Sequence, residues 1–161
     1  MSLIVHPLPP LYDQRSQILI LGSFPSVKSR EGMYFYHHPQ NRFWRILAAL
    51  FDEPLPQTIA EKEKLLLRNG VALWDVIYSC EIEGSSDASI RNVTPTDLSP
   101  ILQAAPIERI ACNGTTAWSL YQKYQRKQTE RPAVKLPSSS PANARSRLED
   151  LTAAWKAALE V

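Results

Sequence analysis

Gln17-Ile18-Leu19-Ile20-Leu21-Gly22 is the stretch of sequence that decides the fold. Its apolar residues are continuous rather than alternating, which is typical of a strand buried on both faces of a parallel sheet. Three later runs have the same character, at residues 71–74, 109–112 and 133–136, and each is followed by a polar residue or a proline. Together these runs predict four buried strands.

Segments with helical spacing separate the four runs. Apolar residues recur at such spacing in 43–51, around Leu65 and Leu66, in 98–102, in 115–123 and in 148–159. Strands that alternate with helices predict an α/β fold, here a three-layer sandwich whose helices flank a central, mainly parallel, four-stranded sheet. The length of 161 residues predicts a single domain over residues 1–161.

Composition narrows the class of protein. Hydrophobic residues make up 44% and charged residues 21%, as in ordinary globular proteins, and no apolar run approaches the ~20 residues of a membrane span. The first seven residues lack a charged signal-peptide segment, so we expect a cytoplasmic protein with no membrane partner. The net charge of +2 is small, so any contact with DNA must come from a local patch.

Sequence motifs for metals and common cofactors are missing. Cys80 and Cys112 lie in or beside apolar runs, so we expect them to be buried free thiols. Neither an HExxH motif nor a CxxC pair occurs, and residues 22–26 form neither a P-loop nor a GxGxxG motif. We therefore expect neither a metal site nor a cofactor.

Polar residues follow the predicted strands. Ligands of parallel sheets lie beyond the carboxyl ends of the strands. Those ends carry Gly22-Ser23, Asp75, Asn113-Gly114 and Pro137-Ser138. Two of the loops, residues 22–26 and 136–143, combine small hydroxyl residues with prolines, which suits a phosphate. Each loop taken alone could equally be a turn or a helix cap.

Residues 33–44 join a cluster of aromatic residues to the start of a helix. The aromatic residues at 34–36 could stack on a nucleobase or pack in the core, whereas the spacing of Phe43 and Trp44 favours the core. Asn41 could cap the helix or serve a site.

Six motifs together, in this order, resemble the uracil-DNA glycosylase superfamily, and within it the hypoxanthine-DNA (deoxyinosine) glycosylase branch. They are Leu21-Gly22-Ser23-Phe24-Pro25-Ser26, Tyr36-His37-His38-Pro39-Gln40-Asn41-Arg42-Phe43-Trp44, Leu73-Trp74-Asp75-Val76, Gly84-Ser85-Ser86-Asp87, Asn113-Gly114 and Leu136-Pro137-Ser138-Ser139-Ser140-Pro141-Ala142-Asn143. The resemblance implies a DNA repair enzyme that hydrolyses the N-glycosidic bond of a deaminated base and so initiates base excision repair. The base is hypoxanthine, with uracil and xanthine as further candidates.

The same resemblance implies the partner and the roles of the site residues. We expect a monofunctional glycosylase, since no lysine nucleophile is evident, that acts as a monomer on DNA containing a deaminated base. Asn41 holds the attacking water, and Asp75 is the second catalytic residue. The base-binding residues are Phe24, Tyr34, Phe35, Tyr36 and Asn113; the phosphate-binding residues are Gly22, Ser23, Ser138, Ser139 and Ser140; and the minor-groove loop of residues 142–145 contributes Ala142, Asn143 and Arg145.

Two positions depart from other branches of that family. Several branches have Asp, Asn or Glu where this chain has Phe24, which cannot activate water. Some uracil-specific branches begin the last loop with a histidine where this chain has Leu136, so a histidine-assisted route is not expected. Two alternatives remain open: a non-catalytic module of the same fold that binds damaged bases or nucleotides, and a flavodoxin-like domain that holds a flavin phosphate at residues 137–140.

Overall fold

A four-stranded parallel sheet forms the centre of the structure, a computed structural model that describes residues 3–143 and 145–161. The strands are β1 (Leu3–Val5), β2 (Ile18–Gly22), β3 (Val71–Asp75), β4 (Ile77–Glu81), β5 (Arg91–Pro95), β6 (Arg109–Asn113) and β7 (Ala133–Leu136). The parallel sheet has the order β3-β2-β6-β7. The four strands predicted from continuous apolar runs are confirmed, each within one residue of its predicted ends.

Helices occupy the segments between the strands. They are α1 (Val27–Gly32), α2 (Phe43–Leu50), α3 (Ile59–Arg68), α4 (Ser99–Ala104), α5 (Thr115–Tyr124), α6 (Arg126–Thr129) and α7 (Leu148–Leu159), with a 3₁₀ turn at Asp87–Ser89. The sequence predicted α2, α3, α4, α5 and α7. It missed α1, which has few apolar residues and begins where the Ser26 side chain accepts a hydrogen bond from the Ser29 backbone N–H.

Alternate residues of β2 bury on opposite faces of the sheet, as strand geometry requires. Ile18 and Ile20 pack against α2, α3 and α7 in one cluster of buried residues. Leu19 and Leu21 pack against α4 and α5 in another. Because both faces are covered by helices, the predicted three-layer α/β sandwich is confirmed.

A second sheet, which the sequence did not predict, lies beside the first. It is antiparallel, with the order β1-β4-β5. β1 is an apolar run of only three residues, and β5 reads Arg-Asn-Val-Thr-Pro, so neither has an apolar run long enough to predict a strand. The pairing of β1 with β4 is extended by the His6 backbone N–H, which donates to the Tyr78 carbonyl at 2.7 Å. This sheet therefore carries His6 towards the end of β3.

Both cysteines are free and buried, as predicted. Burial raises the pKa of the Cys112 thiol to about 12, so this group is a protonated core side chain. Among the described helices, none is long and apolar enough to cross a membrane.

Trp155 connects α7 to the loop that follows β7, and this contact yields a stability prediction. Its ring is fully buried against Phe43, and its Nε1–H donates to the Pro137 carbonyl at 2.8 Å. Trp155→Ala is expected to lower the free energy of unfolding by about 3–5 kcal/mol through loss of burial, and Trp155→Phe by about 1–2 kcal/mol. Urea denaturation measures both, with the exposed Leu55→Ala as control. Equal values for Trp155→Ala and the control would contradict this packing role.

Candidate functional site

A cavity of about 380 Å³ opens at the carboxyl ends of β2, β3 and β6, next to the loop after β7. This volume lies within the range of small-molecule sites. Most of the predicted site residues line it: Gly22, Ser23, Phe24, Phe35, Tyr36, Asn41, Asp75, Asn113, Ser138, Ser139, Ser140 and Ala142. Polar groups that follow separate strands in the sequence thus meet at one edge of the sheet, as predicted.

The absence of a side chain at Gly22 lets two polar side chains approach its backbone closely at the cavity wall. Parallel pairing places it opposite Asp75 at the ends of β2 and β3. A Cβ atom built on Gly22 would lie 2.5 Å from the Asp75 Oδ1 atom and 2.8 Å from the Tyr36 hydroxyl oxygen. Both separations are too short for a side chain, so glycine at this position lets the carboxylate and the phenol reach the same point.

The Asp75 carboxylate is held by a histidine that the sequence analysis did not select. His6 Nε2 lies 2.7 Å from Asp75 Oδ2, and both side chains are buried. The Leu8 backbone N–H donates to His6 Nδ1 at 3.1 Å, so in a neutral ring Nε2 carries the proton that Asp75 accepts. The pair fixes Oδ2, while Oδ1 stays next to Gly22 and Tyr36.

Asn41 lines the cavity at the start of α2. Its Oδ1 atom accepts two hydrogen bonds, one from the Phe43 backbone N–H at 2.9 Å and one from the Ser139 hydroxyl at 2.8 Å. A carbonyl oxygen has two lone pairs, and here both are used. The group that Asn41 has left for a ligand is therefore its Nδ2 amide, which is a donor. The residue both starts the helix and serves the cavity wall.

Ser139 belongs to the interior of the site, which corrects its predicted role at a phosphate. The residue is 0% exposed. Its hydroxyl accepts from Asn113 Nδ2 at 2.9 Å and donates to Asn41, while its backbone N–H donates to Asn113 Oδ1 at 3.0 Å. Because these groups are all engaged inside the protein, Ser139 is a positioning residue. It links Asn113 at the end of β6 to Asn41.

The remaining hydroxyl residues differ in what they can offer an anion. The Ser138 hydroxyl oxygen accepts a hydrogen bond from the Ser140 backbone N–H, and the Ser140 hydroxyl oxygen accepts one from the Ala142 backbone N–H. Neither hydroxyl group donates a hydrogen bond to an acceptor in the described residues. Ser23 donates instead to the Asp87 carboxylate at 3.2 Å. Ser138 and Ser140 are therefore better placed than Ser23 to donate to a phosphate.

Three of the four aromatic residues predicted to bind a base reach the cavity. Tyr36 stacks on Phe43 with ring centroids 4.0 Å apart, and Phe24 and Phe35 form apolar walls. Tyr34 is not in the cavity, which corrects its prediction: its ring stacks on Trp44, and its hydroxyl donates to Glu63 at 3.4 Å. Core packing satisfies that side chain.

The loop predicted to enter the minor groove is tied to α2 by Arg42, a second residue that the sequence analysis missed. The Arg42 guanidinium donates to the carbonyl oxygens of Ser140, Asn143 and Ser146. Asn143 turns inward, and its Nδ2 donates to the Ser138 carbonyl at 2.9 Å, so its predicted place in a groove is corrected to a place in the loop framework. Ala142 and Arg145 are exposed, and Ala144 lies outside the described residues.

Within residues 3–143 and 145–161, no group of three or more His, Cys, Asp or Glu side chains is placed to hold a metal ion.

Comparison with known proteins assigns the chain to a family. The family model described as the uracil DNA glycosylase superfamily matches residues 9–159. The chain belongs to the uracil DNA glycosylase superfamily. Two relatives named hypoxanthine DNA glycosylase are similar over most of their length. The protein from Methanosarcina acetivorans is 37% identical, and the match covers 89% of this chain and 90% of the relative. The protein from Methanosarcina barkeri is 34% identical, and the match covers 94% of this chain and 96% of the relative.

A solved structure supports the same family and the same architecture. It is a solution NMR structure of a protein from Methanosarcina acetivorans that carries the provisional name uracil DNA glycosylase. The structural similarity has a TM-score of 0.80 at 30% sequence identity and covers 97% of this chain and 99% of that chain. The comparisons together support a DNA glycosylase.

Two residues show how this member of the uracil DNA glycosylase superfamily differs from the branches named above. Phe24 packs with Ile77, Cys80 and Ile82 and gives the cavity an apolar wall rather than a carboxylate or amide. Leu136 is fully buried in the core beneath α2 and α7, so the loop after β7 begins with a packing residue. Asn41 and Asp75 are polar side chains of the cavity wall that lie with these apolar residues at the ends of the strands.

The buried pair of His6 and Asp75 yields a prediction about the free energy of unfolding. His6→Phe keeps a ring but removes the donor, leaving a buried carboxylate oxygen unsatisfied, and is expected to lower the free energy of unfolding by about 2–4 kcal/mol. In an Asp75→Asn background the same change should cost at least about 1 kcal/mol less, because the buried charge is gone. Urea denaturation of the unaltered protein, the two single variants and the double variant measures the coupling between His6 and Asp75. An equal loss of unfolding free energy from His6→Phe in both backgrounds would contradict it. His38→Phe, outside the pair, is the control.

Proposed function

We propose that this chain is a monofunctional DNA glycosylase that removes hypoxanthine from DNA and leaves an abasic site for base excision repair. The observation that carries the proposal is the placement of Asn41 in the cavity wall, with its oxygen held by Phe43 and Ser139 and its amide donor left over. Membership of the uracil DNA glycosylase superfamily and two relatives named hypoxanthine DNA glycosylase support it.

The geometry suits attack by water on a nucleotide taken out of the duplex. Extrusion of a nucleotide costs a few kcal/mol, and the exposed loop side chains of Ala142 and Arg145 are placed to fill the gap. The base enters the cavity between Phe24, Phe35 and Tyr36. Ser138 and Ser140 donate to flanking phosphates. The DNA is thereby held with its N-glycosidic bond at Asn41.

Cleavage of this bond builds positive charge on the sugar, as in glycoside hydrolysis generally. The C1′–N9 bond breaks with its electron pair on the base, water forms the new C1′–O bond, and the proton lost by water ends on the departing base. Asn41 Nδ2 donates to the water oxygen and orients it, since an amide is too weak a base to take the proton. DNA phosphates and the fixed dipoles of the site stabilise the sugar cation.

The prediction for Asn41 separates an enzyme from a non-catalytic binding module of the same fold. Asn41→Ala removes the water-orienting donor and is expected to lower the single-turnover rate on deoxyinosine DNA by about 100-fold or more, a typical loss for one catalytic polar group. Gel analysis after alkaline cleavage of abasic sites measures the rate. Gln40→Ala removes a neighbouring exposed amide and is the matched control.

Two results would contradict the proposal in different ways. Full activity of the Asn41→Ala protein would remove Asn41 from the chemistry. Specific binding of deoxyinosine DNA by the unaltered protein, without any base release, would favour the binding module, in which the apolar Phe24 wall serves recognition alone.

Salt dependence tests the phosphate contacts. If the site engages about three phosphates, log Kd should change with log salt with a slope near 3, because each phosphate contributes roughly 0.9. Fluorescence anisotropy with a labelled deoxyinosine duplex measures this slope. Arg145→Ala removes an exposed positive charge from the loop that meets the DNA and should reduce the slope by about 1, whereas Lys64→Ala, at an exposed position of α3 outside the cavity, should leave the slope unchanged. An affinity independent of salt would argue against a DNA substrate.

A further inference from the structure

We propose that the Tyr36 hydroxyl and the Asp75 carboxylate form one recognition pair that reads the lactam edge of the base. Asp75 Oδ1 accepts from the ring N–H of the base, and the Tyr36 hydroxyl donates to the neighbouring ring carbonyl oxygen. The inference rests on the proposed function and assigns the specificity of that same site.

The first half of the pair is a carboxylate with one oxygen in use. His6 donates to Oδ2 at 2.7 Å, which fixes the plane and rotation of the side chain. Asp75 is 4% exposed, so little water competes at the carboxylate. Oδ1 lies at the cavity wall beside Gly22, and no described side chain donates to it. Asp75 Oδ1 is therefore a hydrogen-bond acceptor held in a fixed orientation, ready to bind an N–H donor of a ligand.

The second half is a buried hydroxyl with no partner. The Tyr36 hydroxyl oxygen is shielded from solvent, and no group in the described part of the chain makes a hydrogen bond of normal geometry with it, although the Asn113 amide is near enough to lower its pKa slightly. Buried polar groups are nearly always paired, so an unpaired one at a cavity wall points to a ligand. The backbone of Tyr36 has φ +51°, a left-handed conformation that costs about 1 kcal/mol for a residue with a side chain. Stacking on Phe43 at 4.0 Å holds the ring there.

The protonation of the hydroxyl supports its role as a donor. Burial raises the pKa of Tyr36 strongly, and the nearby Asp75 carboxylate raises it further, against a smaller lowering by the Asn113 amide. The phenol therefore stays protonated at any physiological pH. With Asp75 able only to accept, the two groups offer one donor and one acceptor that both lie beside Gly22.

This pattern matches the edge that deamination creates from adenine and from cytosine. Hypoxanthine, xanthine and uracil each carry a ring N–H next to a C=O group, which is the complement of an acceptor beside a donor. Adenine and cytosine carry a ring nitrogen lone pair next to an amino group, the reverse order. Guanine and thymine carry the same order of N–H and C=O as hypoxanthine, so the pair distinguishes hypoxanthine from adenine and uracil from cytosine, and the shape of the cavity must exclude the other bases. A site built around buried polar groups rejects a base that leaves them unpaired far more strongly than an apolar pocket could.

The test measures binding to DNA that cannot be cleaved, so that recognition is separate from chemistry. The probes are duplexes with 2′-fluoro-substituted deoxyinosine or with the matched 2′-fluoro purine nucleotide that lacks the 6-oxo group and has a ring lone pair at N1. Tyr36→Phe should raise Kd for the inosine probe by about 5- to 100-fold, the range for one buried hydrogen bond, and should leave Kd for the purine probe unchanged. Tyr34→Phe, the same deletion at a tyrosine outside the cavity, should change neither.

Asp75→Asn provides a second test, because it replaces the acceptor at the cavity by a donor. Because His6 donates to this side chain, the amide oxygen takes the place of Oδ2 and the amide N–H₂ group faces the cavity as a donor. Affinity for the inosine probe should fall by at least about 10-fold, whereas affinity for the purine probe, which offers a lone pair, should be unchanged or improved. Thermal unfolding of each variant checks that it is folded.

The outcomes separate the inference from the function beneath it. Equal losses on both probes in Tyr36→Phe, or an Asp75→Asn protein that keeps the inosine preference, would overturn the pair even if the unaltered protein releases hypoxanthine. Absence of hypoxanthine release by the unaltered protein, together with a preserved preference for the inosine probe, would overturn the proposed chemistry while leaving the pair in place.

Discussion

The parallel pairing of β2 with both of its neighbours is the constraint on which the site depends. β2 is buried along its whole length, with one set of side chains committed to each layer of helices. A slip of one residue would exchange the two sets, so the register is strongly specified. That register puts Gly22 opposite Asp75 and Leu21 opposite Cys112, one residue before Asn113. The polar groups of the cavity are thus positioned by the packing of apolar ones.

Buried polar groups around the cavity are satisfied by partners distant in sequence. Asp75 is paired with His6, and Asn41 and Asn113 are joined through Ser139. Each of these contacts lies in surroundings where an unpaired group would cost about 1–3 kcal/mol, so the arrangement is held in one conformation rather than several. Among the described residues that line the cavity, the Tyr36 hydroxyl is a buried group without such a partner, which is why it carries an inference about substrate.

The sequence predicted the parallel sheet well because continuous apolar runs and helical spacing are local signals. It did not predict the antiparallel sheet, since β1 is short and β5 is polar and exposed at several positions. It placed Asp75 in the cavity because strand ends of a parallel sheet converge, and it placed Asn41 there through the resemblance of residues 36–44 to a family motif. It could not assign His6, whose partner is 69 residues away, or the inward direction of Ser139, which depends on a side chain 98 residues away. A histidine or serine in a loop carries no local sign of such a contact.

The neighbouring residues Asn41 and Arg42 connect the start of α2 to the loop after β7. The side chain of Asn41 is held by Ser139, and the guanidinium of Arg42 holds the carbonyl oxygens of Ser140, Asn143 and Ser146. The Arg42 backbone N–H also donates to the Ser139 carbonyl at 3.1 Å. Hydrogen bonds from both residues therefore join the loop after β7 to the start of α2. In the proposed mechanism, where Phe24 stands in place of a water-binding residue, these hydrogen bonds hold the loop that would meet the DNA backbone beside the Asn41 amide that would orient water.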